Sequence, residues 1–152
     1  MRKRRFEDMR LPYQVVFEPA PFRTIRRYVQ TMPWTKEAGG QMFGRIEDSR
    51  IIVTDVTKPS AKDRRTRTSF ILDVATANAQ VTERFSRGLH YLGDWHTHPE
   101  DQPEPSLADR QNAGRMFQAA GERPCLLMVI AGRSATWVGI YNAKTILRLS
   151  EV

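Results

Sequence analysis

Two histidines and an aspartate have the chemical types and the spacing to bind one metal ion. A single threonine separates His96 from His98, and Asp109 follows eleven positions after His98. Imidazole nitrogen and carboxylate oxygen are ligands that zinc prefers, and three protein ligands leave the fourth tetrahedral position open. Zinc at an open site lowers the pKa of water toward about 7 and so provides hydroxide at neutral pH. The pattern therefore predicts a metal hydrolase, although the histidines could also be an ordinary exposed pair.

Two further residues could assist hydrolysis. Ser106 stands three positions before Asp109, and Ser-x-x-Asp is also a pattern that begins helices. Glu37 precedes the glycine pair Gly39-Gly40 and is a candidate general base, which a hydrolase needs to take a proton from water. Taken alone, Glu37 is more often a surface residue, and sequence spacing does not place it beside the histidines.

The elements around these residues place the histidines at the end of a strand. Residues 89–95 read as a strand, and on extended chain His96 and His98 point to the same side. A Pro-rich acidic loop at 100–105 precedes a helix predicted over 106–120. Asp109 lies one turn into that helix, so the loop must bring the helix start back over the end of the strand.

The remaining pattern predicts an α+β domain with a mixed sheet flanked by helices. Strands are expected at 13–17, 41–46, 51–57, 126–131, 136–141 and 146–149, and further helices at 21–31 and 73–87. Strands outnumber helices and often follow one another directly, which is unlike a doubly wound sheet. We expect one domain over 1–152, with a flexible basic terminus at 1–10 and an exposed basic loop at 58–68.

The composition is that of a soluble globular protein with an excess of positive charge. Hydrophobic residues make up 40% and charged residues 27%, and no apolar run approaches the length that spans a bilayer. The first residues carry no apolar segment typical of a secretory signal, so we expect a cytoplasmic protein without membrane contact. The single cysteine, Cys125, excludes an internal disulfide and a cysteine-based zinc site, and it is expected to be a buried, inert thiol.

The net charge of +7 could attract nucleic acid or steer an acidic protein partner. No recognised nucleic-acid-binding motif accompanies the basic residues, so nucleic acid is not the favoured partner.

The candidate residues and their neighbours resemble the motif of the JAMM metalloproteases, the JAB/MPN family. The matching positions are Glu37, Gly39, Gly40, Gly44, Gly93, Trp95, His96, Thr97, His98, Pro99, Ser106 and Asp109. The resemblance extends over nearly the whole chain, because the predicted element order also suits this family.

The resemblance implies a zinc isopeptidase or peptidase with an MPN/JAB (cytidine-deaminase-like) fold and one zinc ion per chain. His96, His98 and Asp109 would bind the zinc, and Glu37 would act as general base. Ser106 would donate a hydrogen bond to the oxyanion of the tetrahedral intermediate, where charge develops.

Within the family, the chain is similar to the compact prokaryotic JAB branch, since it lacks the insertions and the second zinc site of eukaryotic deubiquitinating relatives. The segment 91–99 and the basic loop before Ser69-Phe70 resemble the deconjugases of bacterial CBASS antiphage operons. This resemblance implies a protein substrate with an extended C-terminal tail, namely a cGAS-like cyclic-nucleotide synthase joined to a target through its C-terminus.

Two alternatives remain open at this point. A JAB peptidase that processes the tail of a ubiquitin-like or sulfur-carrier protein would use the same chemistry on another substrate. A basic nucleic-acid-binding module with incidental histidines is the remote alternative. For the enzyme, we expect the tail to add as a strand to a sheet edge, in a groove between the loops at 58–68 and 100–105.

Overall fold

The computed structural model describes residues 1–121, 123, 125–143 and 145–152. The helices in these residues are α1 Pro19–Arg27, α2 Val74–Ser86 and α3 Leu107–Ala119. The strands are β1 Arg4–Glu7, β2 Gln14–Phe17, β3 Gly39–Glu47, β4 Arg50–Val56, β5 Arg64–Arg65, β6 Phe70–Ile71, β7 His90–Thr97, β8 Leu126–Ala131, β9 Thr136–Tyr141, β10 Ile146–Arg148 and β11 Ser150–Glu151. Within the described part, nine strands form one mixed sheet in the order β10-β9-β8-β7-β3-β4-β2-β1-β11, and β5 pairs with β6 in a separate hairpin.

Helices cover both faces of the large sheet. Alternate residues of β8 point to opposite faces, as strand geometry requires. One set joins a core with Phe22 and Ile25 of α1, and the other packs with Ala113 of α3. The side-chain amide of Gln41 donates to the carbonyl of Ala77 in α2 at 3.2 Å, so α2 lies on the same face of the sheet as α3. The expected mixed sheet flanked by helices is therefore confirmed.

The connection from β7 through α3 to β8 brings the candidate residues to one edge of the sheet. β7 and β8 are parallel neighbours, so the chain crosses over between them as a helix. In such a unit, the helix begins near the carboxyl end of the first strand. The other neighbour of β7 is β3, which runs antiparallel and begins with Gly39 opposite His96. The start of β3, the end of β7 and the start of α3 therefore meet.

Several predicted elements match the observed ones closely. The strands predicted at 126–131 and 136–141 are β8 and β9. The helix predicted after Asp73 is α2, and the Asp73 carboxylate caps it by accepting a hydrogen bond from the Thr76 amide at 3.0 Å. α1 begins at Pro19, earlier than expected, because proline is accepted in the first turn of a helix.

The prediction of a flexible terminus at 1–10 is wrong for its central residues. Arg4–Glu7 forms β1, which pairs with β2 on one side and β11 on the other. Phe6 is buried, and its ring lies 5.8 Å from that of Phe17. One inward aromatic among charged residues gives no periodic signal, so the pairing of this strand could not be read from the sequence.

The loop expected at 58–68 contains the first strand of the β5–β6 hairpin. The two strands are only two residues long, which is too short for a sequence pattern to indicate. On α2, the large apolar residues Val74 and Phe85 are exposed. The Arg84 guanidinium faces the sheet instead, bonded to Asp55 at 2.6 Å and stacked over the Phe43 ring.

Among the described residues, every helix is too short or too polar to cross a lipid bilayer. The cytoplasmic location stays a prediction.

Candidate metal centre

Three ligand atoms converge at the end of β7 and the start of α3. The Nε2 atoms of His96 and His98 lie 3.1 Å apart. One oxygen of Asp109, Oδ1, lies 3.2 Å from the His96 nitrogen, and the other, Oδ2, lies 3.1 Å from the His98 nitrogen. The cluster is mostly enclosed, with His98 buried and the other two side chains partly exposed. The structure thus brings together the three ligands that the sequence predicts.

This cluster has the donor set of a metal site. Two imidazole nitrogens and a carboxylate all direct ligand atoms at one point, within 4.8 Å of one another. A neutral imidazole carries a proton on only one of its nitrogens, so the three close approaches cannot all be hydrogen bonds between neutral histidines and the carboxylate. A shared cation satisfies all three groups at once. The arrangement fits a bound metal ion of the kind that the family implies.

The electrostatics of Asp109 favour its ionised form. Burial alone would raise the pKa of this carboxyl, but hydrogen bonds from His96 and His98 outweigh that effect. The pKa of Asp109 is consequently held far below its ordinary value. A carboxylate that stays ionised over the whole physiological range is suited to bind a cation.

A capping box at the start of α3 fixes Asp109 and Ser106 relative to each other. The Ser106 hydroxyl oxygen accepts a hydrogen bond from the Asp109 amide at 3.1 Å, and Asp109 Oδ2 accepts one from the Ser106 amide at 2.9 Å. The serine oxygen is thus an acceptor in this bond. In the described part of the chain, no group accepts the hydrogen of the Ser106 hydroxyl, which leaves it available for a substrate oxygen.

Strand register places Glu37 beside the histidines. Gly39 pairs with His96, and the Thr97 amide continues the ladder by donating to the Ala38 carbonyl at 2.9 Å. Continuing this antiparallel register by one step sets Glu37 opposite His98. Side chains of directly opposed residues project to the same face, with Cβ atoms about 5 Å apart. The carboxyl group predicted as general base therefore lies on the face that carries the candidate metal ligands.

The β5–β6 hairpin holds the backbone of Glu37. The Glu37 amide donates to the Thr66 carbonyl at 2.8 Å, and the Arg65 guanidinium donates to the Glu37 carbonyl at 2.7 Å. Phe70 of the hairpin packs over Gly39, where an added Cβ would lie 2.6 Å from the ring. The absence of a side chain at Gly39 therefore permits the close approach of the Phe70 ring.

Glu37 has the electrostatics of a general base. Its side chain is only 4% exposed. Burial raises the pKa of Glu37 to about 7, with nearby His98 opposing the shift and Asp109 and Glu100 adding to it. A base whose pKa lies near the operating pH can both accept and return a proton.

Two buried polar residues, whose roles the sequence did not reveal, join the Glu37 segment to β7. The Thr97 hydroxyl accepts a hydrogen bond from the Ala38 amide at 2.9 Å and donates one to Gln30 Oε1 at 3.0 Å. Gln30 Nε2 in turn donates to the carbonyls of Thr35 and Arg67, at 3.0 and 2.8 Å. Both residues are essentially without exposed surface. Gln30 follows the end of α1 and gives no sequence signal, because its partners come from three separate segments.

Comparison with known proteins agrees with this geometry. Residues 21–143 match the family model described as prokaryotic homologs of the JAB domain. A Pseudomonas aeruginosa protein named CD-NTase/cGAS isopeptidase is 34% identical over 125 residues, covering 80% of this chain and 79% of its own. A Vibrio cholerae protein of the same name is 35% identical over 115 residues, covering 74% and 72%.

A solution structure of a Desulfitobacterium hafniense protein has the same fold, with a TM-score of 0.64, 18% identity and 87% of each chain covered. The resemblance found in the sequence is confirmed, since the family model spans most of the chain, including all five candidate site residues. The chain therefore belongs to the family of prokaryotic JAB-domain homologs and is a hydrolase of the JAMM type.

Proposed function

We propose that this protein is a zinc-dependent isopeptidase that releases a cGAS-like cyclic-nucleotide synthase from a conjugate formed through the synthase's C-terminal tail. The observation that carries the proposal is the convergence of His96, His98 and Asp109 with the buried carboxyl of Glu37. Support for the substrate comes from the relatives named CD-NTase/cGAS isopeptidase. We further propose that residues 1–152 act as one domain.

Zinc is the metal proposed for the cluster. Ligand atoms about 2.0–2.1 Å from a tetrahedral zinc ion lie about 3.3 Å from one another. The two nitrogens lie 3.1 Å apart, and the nitrogens of His96 and His98 lie 3.2 and 3.1 Å from different oxygens of Asp109, separations close to that edge length. Two imidazoles and one carboxylate are also a ligand set found at catalytic zinc sites. When bound, zinc supplies a Lewis acid that polarises the scissile carbonyl and acidifies water.

The side chains of this protein would move the protons. Glu37 accepts a proton from the attacking water as the new carbon–oxygen bond forms, and then delivers it to the departing amine nitrogen as the carbon–nitrogen bond breaks. The products are a free carboxylate on the tail and a free amine on the target. Ser106 donates the hydrogen of its hydroxyl to the oxygen of the tetrahedral carbon, where negative charge develops.

The test of this role is the variant Glu37→Gln, which keeps the size of the side chain and removes its basicity. With a conjugate joined through the synthase tail as substrate, we expect kcat/KM to fall by about 10²–10⁴-fold, the usual contribution of a general base. Zinc content measured by atomic absorption should stay at one ion per chain. Glu47→Gln, a change to an exposed glutamate at the opposite end of β3, is the matched control. Undiminished cleavage by Glu37→Gln would show that another group takes the proton.

A tail-binding edge is proposed at β6. This strand pairs with β5 on one side, and within the described residues no strand pairs with its other side. An extended peptide can add to such an edge through main-chain hydrogen bonds. Because the hairpin also holds the backbone of Glu37, a tail bound at β6 would lie beside the site.

Charge reversal tests whether the basic side chains of the hairpin bind the conjugate. Arg64 and Arg67 are exposed, whereas the Arg65 side chain holds Glu37 and should be left intact. We expect Arg64→Glu with Arg67→Glu to raise KM for the full conjugate without loss of zinc. Reversal of Arg45 and Arg50, both exposed at the opposite end of β3 and β4, is the control. Equal kinetics for the two double variants would remove the hairpin from substrate binding. Measuring cleavage of a ubiquitin-like protein conjugate in parallel distinguishes this alternative substrate from the synthase conjugate.

A further inference from the structure

The imidazole of His98 is held from both sides. Its Nε2 atom faces the other candidate ligands and lies 3.1 Å from Asp109 Oδ2. Its other nitrogen, Nδ1, lies 2.8 Å from Oε1 of Glu100. A histidine binds metal through a nitrogen that carries no proton, and the hydrogen bond made by the other nitrogen selects which one that is. A carboxylate that accepts the Nδ1 hydrogen leaves the lone pair on Nε2.

The turn between β8 and β9 holds the backbone of Glu100 in place. The Arg133 amide, in the turn between β8 and β9, donates to the Glu100 carbonyl at 2.8 Å, and the next two amides donate to the Asp101 carbonyl at 3.0 Å each. Gly132 makes this contact possible, because a Cβ there would lie 2.6 Å from the Glu100 carbonyl oxygen. The backbone of the residue that bonds His98 is therefore fixed by four consecutive residues of a different hairpin.

The two histidines of the candidate metal site differ in their contacts at Nδ1. In the described part of the chain, no carboxylate lies against the Nδ1 atom of His96, so His98 alone has such a partner. The pattern of a metal, a histidine and a carboxylate recurs at metal sites, where the carboxylate orients the ring and raises its basicity.

We propose that Glu100 is a positioning residue that holds His98 in the tautomer and orientation needed to bind the metal ion. This inference rests on the proposed zinc site and adds a residue that the sequence motif does not include. Glu100 acts on metal affinity through His98, whose Nδ1 atom it contacts.

The experiment measures zinc affinity directly, by competition between the purified protein and a chromophoric chelator at fixed pH. Loss of such a carboxylate costs about 10–100-fold in metal affinity, so Glu100→Ala is expected to raise the Kd for zinc by that factor. Glu100→Gln keeps an acceptor oxygen and should restore affinity to within a few-fold of the unaltered protein. Asp101→Ala removes the same charge from the same loop, together with an exposed ion pair to Arg133, and should leave the Kd unchanged.

Each result bears on the inference. An unchanged Kd for Glu100→Ala, or an equal rise for Asp101→Ala, would overturn it, and so would a Glu100→Gln variant no better than Glu100→Ala. Failure of the unaltered protein to bind zinc would instead overturn the proposed function. If the unaltered protein and Glu100→Ala bind zinc equally and both cleave the conjugate, the role assigned to Glu100 is wrong and the proposed function stands.

Discussion

Removal of the Thr97 hydroxyl is the perturbation that tests how the site is assembled. Thr97 lies between the two histidines, has no exposed surface, and bonds both the Ala38 amide and Gln30 Oε1. Thr97→Val keeps the shape of the side chain but removes both hydrogen bonds. The Ala38 amide and the Gln30 oxygen would then be buried without partners.

The expected cost follows from those two orphaned groups. A buried donor or acceptor left unsatisfied costs about 1–3 kcal/mol, so the free energy of unfolding should fall by about 2–4 kcal/mol when partial relaxation is included. For a domain of this length, that loss lowers Tm by roughly 5–15 °C. Because Ala38 follows Glu37, the proposed general base should also shift. A displacement of about 1 Å can cost about 10²-fold in rate, so kcat should fall about 10–100-fold.

The chain offers a matched control in Thr54→Val. The Thr54 hydroxyl is buried and has no hydrogen-bond partner in the described residues. Its removal should leave stability unchanged or raise it, since an unpaired buried hydroxyl is itself unfavourable. Stability is measured by urea unfolding of both variants, and kcat with the tail-linked conjugate. Equal unfolding free energies and equal kcat values for the two variants would refute the role assigned to Thr97.

Two further predictions concern Glu37 and Ser106. Since burial raises the pKa of Glu37 to about 7, its ionisation opposes folding, and in chelator-treated protein the free energy of unfolding should decline as pH rises from about 4.5 to about 8. Glu37→Gln should remove about 3 kcal/mol of that decline in urea unfolding across pH, and an equally steep decline in the variant would contradict the assignment. Ser106→Ala and Asp73→Ala should each lower stability by about 1 kcal/mol through loss of a helix cap, as followed by thermal unfolding. Only Ser106→Ala should also lower kcat, by about 10²–10³-fold, so an equal effect of both changes on kcat would leave Ser106 as a cap alone.

The longer strands and the long helices of this chain could be predicted from local pattern. β8 is an unbroken apolar run, and the helix starts at Asp73 and Ser106 follow from capping chemistry, which involves only neighbouring residues. Short elements could not be predicted from local pattern. β1, β5 and β6 are two to four residues long, and their stability comes from partners distant in the chain.

The candidate site also has a part that local pattern predicts and a part that depends on the fold. His96, His98, Ser106 and Asp109 lie within fourteen residues of one another, and the strand period, the loop and the capping box are enough to bring them together. Their types and spacing alone therefore indicated an open metal site. Glu37 was a candidate base whose role the family resemblance supported, and no local rule placed it beside the histidines.

Tertiary structure alone decided what surrounds that site. The register of β3 on β7 sets Glu37 opposite His98, and the hairpin fixes its backbone. Burial by these elements raises its pKa to about 7, which no property of the glutamate itself could do. The sequence by itself indicated the candidate ligands, because ligation depends on residue type and short spacing. The position and the raised pKa of Glu37, the proposed base, depended on the fold, and so did the hydrogen-bond partners of Thr97 and Glu100. Strand pairing and burial join segments that are far apart in the chain.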